Sequence, residues 1–79
     1  MENTLKLKNS FSVALNLEID NINDNLAYQS ISEWDSISHM ILISQIEEDF
    51  DVSLDTDDVI NMSSFAITKE ILSKYHIKF

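Results

Sequence analysis

A carboxylate, a hydroxyl and an imidazole fall close together at Asp35, Ser36 and His39, the three kinds of group that nucleophilic catalysis combines. Residues three apart share one side of a helix, so Ser36 and His39 have a workable spacing. The chain contains no glycine, however, and can build neither a nucleophile elbow nor a close backbone approach to an oxyanion. His76, the second histidine, is far away in sequence. A lone histidine on a core-facing stripe is ordinarily a packed or hydrogen-bonded residue. The acidic stretch Asp51, Ser53, Asp55, Asp57 and Asp58 offers oxygen ligands. It lacks the central glycine and terminal bidentate glutamate of a calcium loop, so it reads as a solvated acidic turn. With no cysteine, thiolate catalysis, zinc-finger spacing and disulfides are all excluded.

Eleven serines leave position to decide among them. Ser36 directly follows a capping Asp35 and opens the clearest helical pattern in the chain. A helix N-terminus presents free amides and the positive end of the dipole, which favours a phosphate attached or bound there. On residue types alone, Ser36 is better accounted for as merely part of the cap.

The elements that must position these residues follow from periodicity. Leu7, Phe11, Ala14 and Leu15 mark one face of a first helix within residues 2 to 17. From Glu18 to Asp35 the pattern lapses into asparagines and acids, punctuated by Ile22, Leu26, Tyr28, Ile31 and Trp34: a long loop pinned by apolar anchors. Connections of this length usually serve a site. Ser36 to Phe50 is a second helix, with His39, Leu42, Ile43, Ile46 and Phe50 along one stripe and Asp35 as N-cap. Ile37, Ile41, Ser44 and Glu48 fall on the opposite side with Met40 at its margin, and an exposed apolar cluster there points to protein contact. Thr56 or Asp55 caps a short third helix through Met62. Ser63 or Ser64 caps a last one bearing Phe65, Ile67, Ile71, Leu72 and Tyr75, with Lys69 and Lys74 toward its C-terminal end. No strand alternation is present. With no glycine or proline, stops must come from Asn, Asp and Ser, which tolerate turn and left-handed geometry. An all-α bundle of three longer helices and one short one is expected, with the long loop between helices one and two.

At 79 residues the chain is a single domain, 1–79, with 44% hydrophobic residues and a net charge of −9. All five lysines lie at the ends, and residues 9 to 68 carry twelve of the fourteen acids with no Lys or Arg. Such a field repels nucleic acid and anionic membranes and favours basic protein surfaces. The longest apolar run, Met40 to Ile43, is far short of a membrane span, and the N-terminus does not read as a signal peptide. A cytoplasmic, soluble monomer without membrane insertion is expected.

The run Glu33-Trp34-Asp35-Ser36-Ile37-Ser38-His39-Met40, followed by Ile46-Glu47-Glu48-Asp49-Phe50 and Val59-Ile60-Asn61-Met62-Ser63-Ser64-Phe65, resembles the acyl carrier protein family over nearly the whole chain. The resemblance implies a four-helix carrier domain that is not an enzyme, in which Ser36 bears 4'-phosphopantetheine from coenzyme A and Asp35 supports its transfer with magnesium. It implies as partners a phosphopantetheinyl transferase, an acyl-loading ligase or acyltransferase, and a downstream acyl-consuming enzyme. Contacts with them are expected from Ile37, Met40, Ile41, Glu47 and Glu48. Ile37 stands where the family usually has Leu, and Ile41 where it commonly has an acid. Trp34 replaces the Gly-containing pattern of carriers in primary fatty acid synthesis. The Trp-Asp-Ser form looks more like stand-alone carriers of polyketide, nonribosomal peptide or surface-glycan pathways. The alternatives are an unmodified acidic helical adaptor for a basic protein surface and a calcium-responsive domain using the stretch near Asp55.

Overall fold

The computed structural model describes residues 2 to 79. The order is α1 (Glu2–Leu15), a short 3-10 turn (Ile19–Asn21), α2 (Ser36–Phe50), α3 (Thr56–Asn61) and α4 (Phe65–Ser73). Among the described residues there is no strand, only one isolated antiparallel bridge between Ala27 and Ser64.

Three helices stop without glycine by the same device. Asn16, Asp51 and His76 take left-handed φ values of 56°, 54° and 69°. The amide that follows each of them donates back into the last turn: Leu17 to Ser12, Val52 to Glu47, and Ile77 to Leu72. This is the Schellman closure, in which a left-handed residue lets orphan carbonyls find donors. It ends α1 at Leu15, two residues before the expected limit, and it gives His76 a backbone role. At the other ends, Asp35 caps α2 by accepting from the Ser38 amide, and Ser64 caps α4 by accepting from Ile67. Asp55 precedes α3 but its side chain makes no cap bond, contrary to expectation; its own amide donates to the Tyr75 hydroxyl instead.

The core gathers Leu7, Phe11 and Leu15 from α1, Leu42, Ile43 and Ile46 from α2, and Phe65, Ile71 and Leu72 from α4. Phe50, Ile67, Tyr75 and Ala14 pack at its margin. The long loop contributes Ile22, Leu26 and Trp34, all buried, so it behaves as part of the core. Its path is fixed by Tyr28 donating to the Ser63 carbonyl and Phe65 donating to Leu26, which staple the loop to the α3–α4 junction. Phe11 meets Trp34 and Phe65 edge to face, with centroids 5.3 and 5.0 Å apart, the arrangement aromatic quadrupoles favour.

Polar groups inside are paired. Ser10, wholly buried, donates to Asp49 and joins α1 to α2, while Gln45 supports the same carboxylate. Asp58 corrects the reading of a solvated acidic turn. It is buried, and it receives hydrogen bonds from Lys74 and Tyr75 that tie α3 to the end of α4. Burying a carboxylate is tolerable only with such partners. Lys69 likewise pairs with Asp24 at 2.7 Å. The terminal lysines thus reach back to offset the acidic middle, where the sequence pattern had placed them against the helix dipole.

Candidate functional site

The site is built around the start of α2. Asp35 is extended at φ −104°, and its carboxylate takes the Ser38 amide at 2.9 Å. That backbone bond, followed by the Ser38 hydroxyl, holds the Asp35 carboxyl below its usual 3.8. Asp35 is therefore an anion over the physiological range. Ser36, the first residue of α2, is exposed. Its Oγ shares a 2.9 Å hydrogen bond with the Tyr28 hydroxyl.

Behind this exposed turn lies a rigid backing. Trp34 has no exposed surface. Its indole N–H donates to His39 Nδ1 at 2.9 Å, and His39 Nε2 lies 2.9 Å from the Val59 carbonyl of α3. The Tyr28 ring stands edge-on to Trp34 and tilted against His39, with centroids 6.1 and 5.2 Å away. Loop, α2 and α3 therefore meet at one imidazole. Spacing had allowed a nucleophilic set of Asp35, Ser36 and His39. The structure does not assemble it, because both His39 nitrogens are bonded elsewhere and the Asp35 carboxylate faces the Ser38 amide.

Beside Ser36, a cleft of about 360 Å³ opens between α2 and α3, lined by Tyr28, His39, Met40, Val59, Ile60 and Met62 among others. A second concavity of about 460 Å³, around Asn16 and Leu17 at the end of α1, involves none of these groups; its one hydroxyl, Ser12, is spent on the Leu17 carbonyl. Among the described residues, no group of three or more His, Asp or Glu is arranged to hold a metal ion.

The surface around the cleft divides the expected contact residues. Ile37, Met40 and Ile41 are exposed by 75%, 58% and 51%, as the two-faced pattern of α2 implies. Ile60 of α3, 73% exposed, faces the same cleft as Met40 and extends the apolar area. Sequence reading missed it, because α3 is too short for a face to be read from spacing. Glu48 is exposed. Glu47 is half-buried, and its carboxylate accepts the Leu54 amide at 2.9 Å, bracing the turn between α2 and α3. Tyr28 was legible as an apolar anchor, but its hydroxyl contact with Ser36 was not.

No helix among the described residues is long and apolar enough to cross a membrane. Compared with models of known families, with curated proteins and with solved structures, the chain finds no match.

Proposed function

We propose that the chain is an acyl carrier protein, with Ser36 as its point of attachment. A phosphopantetheinyl transferase, with magnesium, joins Ser36 Oγ to the phosphate of 4'-phosphopantetheine. The serine proton leaves, and the nucleoside bisphosphate half of coenzyme A departs. The arm's terminal thiol then holds an acyl or aminoacyl group as a thioester, so the absence of cysteine is no obstacle: the sulfur is imported. An acyl-loading ligase or acyltransferase charges the arm, and an acyl-consuming enzyme receives the cargo, in fatty acid, polyketide or other specialised biosynthesis. The protein itself catalyses nothing.

The observation that carries this reading is the setting of Ser36. It is exposed at the N-terminus of a fifteen-residue helix, beside an ionised cap and above an apolar cleft. The helix terminus suits the phosphodiester charge, and the cleft offers partial shelter to an acyl chain. The same apolar surface within an acidic field also suits an unmodified helical adaptor that binds a basic partner. Intact mass after incubation with coenzyme A, magnesium and a broad-specificity transferase separates the two. A carrier gains one phosphopantetheine, Ser36→Ala gains none, and helical content is nearly the same in both. An arm found on another serine overturns the assignment to Ser36, and no arm at all removes the carrier reading.

A further inference from the structure

Among the described residues, the phenol of Tyr28 is the one side chain bonded to Ser36, its hydroxyl 2.9 Å from Ser36 Oγ. Tyr28 is held independently of that contact. Its amide donates to the Ser63 carbonyl, and its ring stands edge-on to Trp34 and tilted against His39, which are themselves joined by a hydrogen bond. A fixed hydroxyl is thus aimed at the atom to which the proposed arm is joined. We infer that Tyr28 is the anchor of that arm: it donates a hydrogen bond to the phosphodiester and fixes where the arm leaves the protein. The inference rests on the carrier reading of Ser36 and adds to it the residue that holds the attached phosphate.

The need for such a donor comes from charge. A phosphodiester brings a negative charge to a turn that already carries the Asp35 carboxylate, and residues 9 to 68 hold no Lys or Arg to meet it. Lys69 and Lys74 are paired with Asp24 and Asp58. The helix dipole favours the charge, yet amides of the first turn are already bonded: Ser38 donates to the Asp35 carboxylate and His39 to the Asp35 carbonyl. Both ring nitrogens of His39 are engaged as well. Besides Ser36, two hydroxyls line the cleft, those of Tyr28 and Ser63, and of these it is Tyr28 that reaches Ser36. The phenol is the side-chain donor left for the phosphate.

Attachment itself redirects the bond. In the free protein, the Ser36 and Tyr28 hydroxyls can each donate to the other. Once Oγ is joined to phosphorus, the serine hydrogen is gone and Oγ is a bridging ester oxygen, a weak acceptor. The non-bridging oxygens, two bonds from Oγ, share the negative charge and accept strongly. Rotation about the phenol C–O bond swings the Tyr28 hydrogen onto one of them without moving the ring. Because Tyr28 also lines the cleft between α2 and α3, this bond holds the phosphate at the mouth of the cleft, and the arm begins its path there.

The test compares the intact protein before and after loading, by NMR. Loading uses coenzyme A, magnesium and a broad-specificity transferase, and mass spectrometry with peptide mapping confirms the arm on Ser36. In the loaded wild type, the Tyr28 hydroxyl hydrogen should couple to phosphorus through the hydrogen bond, and the Tyr28 Cζ resonance should shift from its position in the free protein. Tyr28→Phe keeps the ring against Trp34 and His39, so it should fold and load; its phosphorus resonance should move from the wild-type position and sharpen as the phosphate is freed. Ser63→Ala should leave the phosphorus resonance in place. A loaded wild type in which Tyr28 Cζ is unmoved by the arm overturns the inference and leaves the carrier reading standing, as does a phosphorus resonance common to loaded wild type and loaded Tyr28→Phe. A wild type whose Ser36 takes no arm removes both. The Cζ comparison needs no variant, so a Tyr28→Phe that folds or loads poorly leaves the question decidable.

Discussion

Replacing Trp34 by alanine tests whether the loop before Ser36 belongs to the core. The side chain is wholly buried, and a tryptophan removes about 150–250 Å² from water. At about 25 cal/mol per Å² this gives an upper bound of about 4–6 kcal/mol. Aromatic-to-alanine truncations in cores cost about 3–5 kcal/mol, the residual cavity included. A loss of about 4 kcal/mol is therefore expected. A domain of 79 residues has on the order of 4–12 kcal/mol in total. The variant should sit near the edge of folding, with a melting midpoint lowered by at least about 15 °C. Urea titration followed by far-UV circular dichroism measures the change without needing the lost fluorophore, and an unchanged slope shows that the same cooperative unit unfolds. Trp34→Phe separates shape from hydrogen bonding. It retains a ring beside Phe11 but leaves His39 Nδ1 without its donor, at a cost of about 1–3 kcal/mol. Because Trp34 holds the residues on which Ser36 stands, the proposed carrier function further predicts that Trp34→Ala slows attachment of the arm. A loss below about 1.5 kcal/mol for Trp34→Ala would refute the reasoning, since no fully packed indole is removed so cheaply.

The other predictions concern the acidic surface and its pairings. Hydrogen bonds from Lys74 and then Tyr75 hold the Asp58 carboxyl below 3.8, and that contribution is present above the unfolded value and lost as pH falls through the lowered one. The bond to Asp58 raises Lys74 from 10.5 and Tyr75 from 10.0, so their contributions hold at neutral pH and fade as pH climbs through the raised values. Urea midpoints across pH should fall at both extremes, and Asp58→Asn should flatten both limbs; unchanged limbs would count against the network. Ile41→Glu should leave the melting temperature nearly unchanged, because the residue is half exposed, and, if the proposed carrier function holds, should weaken transfer to the acyl-consuming enzyme in a steady-state assay. Glu47→Lys should destabilise by about 1.5 kcal/mol or more through loss of the charged acceptor for Leu54. Glu48→Lys should leave stability alone and slow only association, in a salt-dependent way visible by stopped flow.

Much of the frame was legible because it depends on neighbours in sequence. The span of α2, Ser36–Phe50, follows from the Asp35 cap and the spacing of Leu42, Ile43 and Ile46. The stop at Asp51 follows from a side chain that tolerates the left-handed region in a chain without glycine, whereas the stop at Asn16 came two residues short of the limit that periodicity alone had set. The exposure of Ile37 and Ile41 follows from helical geometry once the core stripe is assigned. These are consequences of rotation per residue and of local hydrogen bonding, which act over one or two turns.

The site's internal wiring is another matter. Ser10 meets Asp49, thirty-nine residues on; His39 meets Val59, twenty on; Asp58 meets Lys74, sixteen on. The sequence placed His39 on the inner stripe as a packed, hydrogen-bonded residue, yet nothing in its neighbourhood named Val59 as one of its partners. Asp58 sits in a run of acids whose members look alike until α4 is laid against α3, and only then does one of them become buried. Ile60 and Met40 become neighbours for the same reason. Periodicity states which face of an element turns inward, and it is blind to how elements are rotated and shifted against each other. That is decided by the joint packing of the loop anchors, Phe11, Phe65 and Trp34 around one core, and so the pairings that shape the cleft beside Ser36 exist only in the folded chain.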